Sequence, residues 1–223
     1  MIPINNRIAQ SFAVVQEMLR DRNILDEGAL QELYAYGYNE IVTLARNENK
    51  IISIDIGKND VRIIYFKKKV SQSDIKSAID KVPVCNLAIV ITPDKMTTNN
   101  YNKLLSGQNG KTKDTKKTPV DDVGENDPKV RLAPDQGLQI FQLSELMFNI
   151  TKHELVPHHE VIHKKEDIDG LVKKFCLKSV HQFPLILRTD PVARYFGLLP
   201  GNVVRITRVS PSAGEYVMYR CCV

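Results

Sequence analysis

The stretch Arg188–Arg220 reads RTDPVARYFGLLPGNVVRITRVSPSAGEYVMYR, and it predicts a compact unit of one short helix and two strands. Asp190 followed by Pro191 favours a helix start, because Asp caps the first amides and Pro has no amide to leave unpaired there. Gly197 then supplies a left-handed residue that ends the helix. The spacing of Val192, Tyr195 and Phe196 gives this helix one apolar face.

The second half of the stretch predicts a pair of strands. The apolar residues from Val203 to Ile206, with Arg205 and Arg208 on the wetter side, are typical of a half-buried strand. Ser210–Gly214 breaks that strand, and Tyr216–Val223 predicts a second one that holds the C-terminal residues in a sheet. The unit contains no nucleophile, general base or metal-ligand pattern, so we expect it to act by docking.

Length and composition indicate a globular protein with two small domains or one medium domain. The chain has 223 residues, of which 43% are hydrophobic and 26% charged, and its net charge of +5 permits contact with nucleic acid. No run approaches the ~18 apolar residues of a membrane span, and the start lacks the pattern of a signal peptide, so we expect an intracellular protein. The four cysteines are expected to be buried free thiols: Cys85, Cys176, Cys221 and Cys222.

The N-terminal part predicts an α/β domain. Apolar residues from Ile8 to Leu19 follow helical spacing, and this helix is expected to pack on its own domain. A second helix is predicted over Glu27–Tyr36 with Gly37 as its stop. Further helices and strands are predicted at the following places: a helix over 39–46, strands over 51–56, 61–66, 87–91 and 138–143, a helix that begins at Ser71 or Ser73, a helical turn over 99–105 and a turn capped by Ser144.

Between the last two of these strands the chain changes character. Residues 106–134 contain almost no large apolar side chain, so they cannot bury enough surface to offset their ordering entropy, and we predict a flexible charged insert. The predicted domains are therefore residues 1–148, which include the insert, and residues 149–223. The C-terminal domain is predicted to be α+β, with an amphipathic helix over Lys164–Lys174 that turns Ile168, Leu171 and Val172 inward.

The motifs DPVARYFGLLPGNVV and RVSPSAGEYVMYR resemble the assembly domain of the fifth subunit common to eukaryotic nuclear RNA polymerases, a domain that has an equivalent in archaeal RNA polymerase. NITKHELVPHH, at residues 149–159, resembles the opening of that domain, and the motifs stand in the family's order and spacing. The preceding residues are similar in layout to the family's N-terminal jaw domain, which has a restriction-nuclease-like sheet. The best local similarities there are VVQEMLRDRN at residues 14–23 and ITPDK at residues 91–95.

The resemblance implies a non-catalytic subunit of a multisubunit DNA-directed RNA polymerase. Its C-terminal domain would dock on the largest subunit and neighbouring small subunits, and its jaw would lie near downstream duplex DNA, with weak contacts that do not depend on sequence. Arginine and tyrosine dominate interface energies, and the predicted docking residues are Arg188, Asp190, Pro191, Arg194, Tyr195, Gly214, Tyr219 and Arg220. Asp190 has a second role as a helix cap, and Tyr195 and Tyr219 are equally candidates for the core. The residues predicted to lie near DNA are Thr92, Pro93 and Lys95.

Two patterns in the chain resemble catalytic sites, but each lacks a feature that its chemistry needs. His153–Pro157 imitates a zinc-protease motif, but Pro157 replaces the second histidine and breaks the helix that the motif needs. A nuclease site assembled from Asp94, Asp114 and Lys116 would place two of its groups in the flexible insert, where metal catalysis lacks rigid support. We therefore predict no enzyme activity, no cofactor and no metal for this chain alone.

Two questions stay open at the level of the sequence. The alternative function is a free-standing DNA-binding transcription regulator that uses the same C-terminal domain, and a strong salt-dependent affinity for DNA would favour it. The divergent jaw and the charged insert also leave open a large-DNA-virus version of the subunit. The expected location is the nucleus for a cellular protein, and the virion or host cytoplasm for a viral one.

Overall fold

The computed structural model describes residues 3–48, 50–57, 61–68, 74, 87–94, 137–210 and 214–223. Their contacts divide the chain into two compact units. The N-terminal unit comprises Met1–Ala13 and Leu25–Met147, and the C-terminal unit comprises Val14–Ile24 and Phe148–Val223. The predicted domains also divide near residue 148, but they assign the whole first helix to the N-terminal domain, whereas the contacts place Val14–Ile24 with the C-terminal unit.

The N-terminal unit begins with helices. Helix α1 covers Ile4–Arg22, of which the first part belongs to this unit, and α2 and α3 cover Glu27–Ala35 and Tyr38–Asn47. Gly37 was predicted as the stop of α2, but it lies one residue beyond Tyr36, the C-cap of α2. With φ −75° it caps the start of α3, where its amide donates to the Glu40 carboxylate over 3.1 Å. Within the described ranges, no helix combines the length and the apolar character that crossing a membrane requires.

The sheet of this unit is mixed. Strands β1 (Ile51–Ile56), β2 (Val61–Phe66), β3 (Leu87–Thr92) and β4 (Leu138–Gln142) lie in the order β1-β2-β3-β4. The first pair is an antiparallel hairpin and the other two pairs are parallel. Every residue of β2 and β3 is buried, which is typical of the central strands of a covered sheet. The turn after β4 is a 3-10 helix over Leu143–Leu146 that Gln142 precedes, so the predicted cap at Ser144 was wrong by two residues.

The C-terminal unit contains a second four-stranded sheet. Its strands are β5 (His158–Ile162), β6 (Leu185–Ile186), β7 (Val203–Ser210) and β8 (Gly214–Cys222), and their order is β5-β7-β8-β6. The β5–β7 and β7–β8 pairs are antiparallel, and β6 runs parallel to β8. The remaining elements are helices α4 (Lys165–Lys174) and α5 (Pro191–Phe196) and short 3-10 helices over Ile150–Lys152 and Val180–Gln182. These two units confirm the predicted α+β class.

Sequence reasoning missed both edge strands of the second sheet. Strand β5 (HHEVI) starts with three polar residues, and β6 has only two residues, so neither shows the alternation that identifies a strand. Both are held by pairing with central strands that the sequence did predict. Helix α4 matches its prediction within one residue, but Ile168, Leu171 and Val172 are half-buried, and α4 has no fully buried residue.

Several predictions fall outside the described residues: the helix that follows Ser71 or Ser73, the turn over 99–105, the insert at 106–134, Cys85 and Lys95. The prediction for the other cysteines was partly wrong. Cys176 is exposed and follows the end of α4, whereas Cys221 and Cys222 are buried in β8.

Candidate protein-docking surface

Helix α5 has the capping that its sequence predicts. The Asp190 Oδ1 atom accepts a hydrogen bond from the Val192 amide over 2.9 Å, and Pro191 occupies the first helical position. At the other end Gly197 adopts φ 66°, and its amide reaches the carbonyls of Ala193 and Arg194. Side-chain and glycine caps at both ends define a six-residue helix that would be too short to persist in isolation.

Packing on the second sheet is what makes α5 stable. Ala193 and Leu198 are buried in one apolar cluster with Val204, Ile206 and Cys222. Phe196 and Met218 pack against the edge of this cluster. The helix therefore covers one face of the sheet, and the alternation of each strand decides which side chains share that face with it.

Arg22 caps the C-terminal end of α5 from α1. Its Nε atom donates to the Tyr195 carbonyl over 2.7 Å, and one Nη atom donates to the Arg194 carbonyl over 2.9 Å. A cation at a helix C-terminus is favourable, because the unpaired carbonyls there carry partial negative charge. Arg22 is only 6% exposed, and burial lowers its pKa to about 10, so the guanidinium stays charged at neutral pH.

The sequence left open whether Tyr195 is a docking residue or a core residue, and the structure places its side chain in the core. Its ring is buried, and its hydroxyl donates to the Asp21 carboxylate over 2.8 Å while it accepts from the Asn149 side-chain amide over 3.0 Å. Burial first, and then the bond to Asp21, raise the pKa of Tyr195 above its ordinary value, so the phenol stays protonated. A ring held this way stabilises the unit and presents little surface to a partner.

The same polar network extends to Glu17. Asn149 donates to one Glu17 carboxylate oxygen over 2.7 Å, and Lys152 donates to the other. Burial alone would raise the pKa of Glu17, but the hydrogen bonds from Lys152 and Asn149 outweigh it and lower the pKa below its ordinary value. Asn149, which opens the C-terminal motif, therefore ties α1 to the hydroxyl of Tyr195.

The last strand sends two predicted docking residues to opposite faces of the sheet. Arg220 pairs with Val204 and lies on the face that α5 covers, whereas its neighbour Tyr219 pairs with Arg205 and lies on the other face. There Tyr219 forms an edge-to-face contact with Phe175, at a centroid distance of 5.7 Å, and a tilted contact with Phe183, at 6.2 Å. Strand alternation thus excludes one continuous surface that contains both residues.

The other predicted residues lie near the start of α5 and at the hairpin tip. Arg188 and Arg194 are half-buried, and Pro191 is exposed. The Arg188 amide donates to the Val223 carbonyl over 2.9 Å, which places this segment along the β6 edge of the sheet. Gly214 pairs with Ser210 at the end of the hairpin with φ 71°, a conformation that favours glycine.

Sequence reasoning missed four exposed apolar side chains of the C-terminal unit. Leu185 and Leu187 are 51% and 62% exposed at the β6 edge, and Val209 and Tyr216 are exposed near the hairpin tip. The pairing of β5 with β7 extends only as far as Thr207, so no strand among the described residues pairs with the end of the hairpin on that side. Strand alternation in the sequence does not predict the exposure of these residues, because their exposure depends on where each neighbouring strand ends.

The residues predicted to lie near DNA follow β3. Thr92 is buried, and its hydroxyl lies 3.0 Å from the Asp94 carbonyl and 3.4 Å from the Phe141 carbonyl, so its side chain does not face solvent. Pro93 is half-buried and Asp94 is exposed. The DNA contact therefore stays a prediction, and it would fall to the loop after Thr92.

The described residues contain no group of three or more His, Cys, Asp or Glu side chains arranged to hold a metal ion. The His153–Pro157 segment lies in a turn between a 3-10 helix and β5, and the His153 Nδ1 atom accepts from the Leu155 amide over 3.2 Å. Burial raises the pKa of both Cys221 and Cys222 above the ordinary thiol value. Thiols in that state are poor nucleophiles.

Comparison with known proteins matches the C-terminal unit. The family model described as RNA polymerase Rpb5, C-terminal domain, matches residues 148–222. The DNA-directed RNA polymerases I, II, and III subunit RPABC1 of Caenorhabditis elegans is 49% identical over 92 residues, and the corresponding Dictyostelium discoideum protein is 46% identical over 86 residues. The alignments cover 41% and 39% of this chain and 43% of each relative, so the similarity spans less than half the length of these relatives.

The matched range begins at the residue where the C-terminal unit resumes, and it contains α5, its caps and the whole second sheet. It also contains both motifs on which the family resemblance rests. Residues 148–222 are therefore similar to the RNA polymerase Rpb5 C-terminal domain.

Proposed function

We propose that this chain is a non-catalytic subunit of a multisubunit DNA-directed RNA polymerase, and that its C-terminal unit docks on the largest subunit. The observation that carries the proposal is the match of residues 148–222 to the Rpb5 C-terminal domain, at 49% identity to a relative named as a subunit shared by RNA polymerases I, II and III. The proposed location is the nucleus for a cellular protein.

The β6 edge is the part of the unit best suited to docking. It presents the exposed Leu185 and Leu187 next to Arg188 and Pro191, within a few residues of one another. Apolar side chains flanked by arginine are typical of the centre of a protein interface. The pairing of β6 with β8 and the bond from the Arg188 amide to the Val223 carbonyl hold this segment in a fixed conformation, which lowers the entropy that binding would cost.

The N-terminal unit is proposed to form the jaw that lies near downstream DNA. Its mixed sheet and the position of its residues before the assembly domain support this role, and the net charge of +5 is compatible with weak phosphate contacts. The loop after Thr92 is the proposed DNA-proximal segment. The proposed contacts would be to the phosphate backbone and would not depend on base sequence.

A pull-down from the native source tests the docking role. The tagged wild-type chain is expected to recover the two largest polymerase subunits, and Leu187→Glu is expected to reduce that recovery at least about tenfold, because it places an unpaired charge in an apolar contact. Tyr34→Glu is the matched control, since Tyr34 is 49% exposed on α2 of the N-terminal unit.

The wild-type result decides between the two function classes. Recovery of no polymerase subunit would refute the proposal. If the same protein then bound duplex DNA alone, with an affinity that fell steeply as salt increased, the free-standing regulator would be the better explanation. Equal recovery by wild type and Leu187→Glu would keep the polymerase role but remove the β6 edge from the docking surface.

A further inference from the structure

One edge of β8 extends beyond the strand that flanks it. Strand β8 covers Gly214–Cys222, but β6 pairs with it only at Cys221 and Cys222. The residues Gly214–Arg220 therefore have no strand partner on the β6 side among the residues that the structure describes. On its other side, β8 pairs with β7 from its first residue to Cys221. A row of unpaired backbone groups at the edge of a sheet is a template for pairing with another chain.

The hydrogen bonds at the end of β8 determine which of its backbone groups face this edge. The Cys221 amide donates to the Pro184 carbonyl beside β6 over 2.9 Å, whereas the next amide along the strand donates to the Asn202 carbonyl beside β7 over 2.8 Å. Successive residues of a strand direct their backbone groups to opposite sides. The amides and carbonyls of Glu215 and Val217 therefore face the same side as the Cys221 amide, away from β7.

This part of β8 is accessible from solvent. Glu215 is exposed, Tyr216 is 53% exposed and Val217 is half-buried. Native sheets commonly protect an exposed edge with lysine, proline or a bulge, but these three residues include neither lysine nor proline, and their pairing with β7 continues without a bulge. The β7 edge differs, because β5 pairs with it as far as Thr207 and Pro157, just before β5, has no amide to continue the ladder.

We propose that the open β8 edge, Glu215–Val217, receives an extended segment of another polymerase subunit as an added strand, an inference that rests on the proposed function above. Two amides and two carbonyls at strand spacing are matched by an extended backbone. A helix does not fit, because its own backbone groups are already paired. Since β6 lies on the same side of β8, a subunit that covers the exposed Leu185 and Leu187 also borders this edge.

Hydrogen exchange at single-residue resolution tests strand addition, with the purified chain and the assembled polymerase as the two samples. In the purified chain, the amides of Tyr216 and Met218 are expected to be protected by β7, whereas those of Glu215 and Val217 exchange quickly. In the assembled polymerase, the exchange of Glu215 and Val217 is expected to slow at least about tenfold. Protection gained at alternate residues distinguishes backbone pairing from simple coverage by side chains.

Val217→Pro removes an amide that faces the open β8 edge and leaves the ladder to β7 intact, a change that edge strands tolerate. It is expected to reduce recovery of the polymerase at least about tenfold, because a backbone donor is lost and the proline ring blocks the added strand. Val209→Pro is the matched control: Val209 pairs with Glu215, so its amide also faces away from the hairpin partner, but at the β7 edge. Val217→Ala keeps the amide and should change recovery by less than about threefold.

The outcomes separate the inference from the proposed function. If wild type assembles into the polymerase but Glu215 and Val217 exchange as fast as before, or if Val217→Ala loses as much recovery as Val217→Pro, strand addition is wrong. If the purified chain is a dimer in which these amides are already protected, the occupant is a second copy and the proposal is also wrong. Thermal melting checks that each variant folds, and if Val217→Pro does not, the exchange of the wild type decides. If wild type recovers no polymerase subunit, the proposed function itself fails.

Discussion

Replacing Arg22 should destabilise the C-terminal unit although Arg22 lies more than 120 residues before the Rpb5 C-terminal match in the sequence. Arg22→Met keeps most of the side-chain volume but removes the hydrogen bonds at 2.7 Å and 2.9 Å to the last carbonyls of α5. The Arg194 carbonyl still accepts from the Gly197 amide, whereas the Tyr195 carbonyl loses the donor at 2.7 Å, which is unfavourable by about 1–3 kcal/mol. Removing a buried cation recovers part of this, because its desolvation is itself unfavourable.

The expected net loss of stability is about 1–3 kcal/mol, a sizeable fraction of the ~5–15 kcal/mol of a typical domain. Native-state hydrogen exchange is the suitable assay, because the amides of β7 and β8 report the opening of the C-terminal unit alone. Arg20→Met is the control, since Arg20 is an exposed arginine on the same helix and its loss should change stability by less than about 0.5 kcal/mol. Equal exchange in the two variants would refute the argument that Arg22 stabilises α5.

Three further substitutions are expected to change the stability of the protein in a definite direction. Gly170→Ala should stabilise the protein by about 0.5–1 kcal/mol in urea unfolding, because a Cβ atom there meets nothing within 4 Å inside α4, and an unchanged midpoint would contradict this. Gly197→Ala should lower the melting temperature, since φ is 66° there and the strain is about 1–2 kcal/mol. The pKa of Glu17 is lower in the folded protein than its ordinary value of 4.5. The ionised carboxylate therefore stabilises the folded state fully above pH 4.5, and this contribution disappears as the pH falls through the folded-state pKa. Glu17→Gln should therefore flatten the acid limb of a pH–stability curve, and a curve parallel to wild type would contradict the role of Lys152 and Asn149.

The local sequence determines helix α5 and its caps. Asp190, Pro191 and Gly197 specify the ends through interactions with the nearest backbone groups, which do not depend on distant residues. The hairpin β1–β2 and the two central strands of the second sheet are predictable for the same reason. Their apolar patterns are strong enough to identify them before their neighbours are known.

Tertiary structure decides what the local pattern leaves undetermined. The strands β5 and β6 form because β7 and β8 offer unpaired backbone groups at both sides, and their own residues show little strand preference. Gly37 is a second example of a position that its residue type does not determine. Glycine is typical of a helix end, but Gly37 begins α3 because the Glu40 carboxylate accepts a hydrogen bond from its amide.

The amino-acid sequence by itself determined that the last third of this chain resembles a polymerase assembly domain, because its motifs and their spacing are local properties. Only the tertiary structure decided which side chains of those motifs are buried and which are exposed. Tyr195 is internal because Asp21, more than 170 residues earlier, accepts its hydrogen bond. Arg220 lies on the face of the sheet that α5 covers because strand register pairs it with Val204. Both outcomes depend on contacts between distant segments, which no local pattern records.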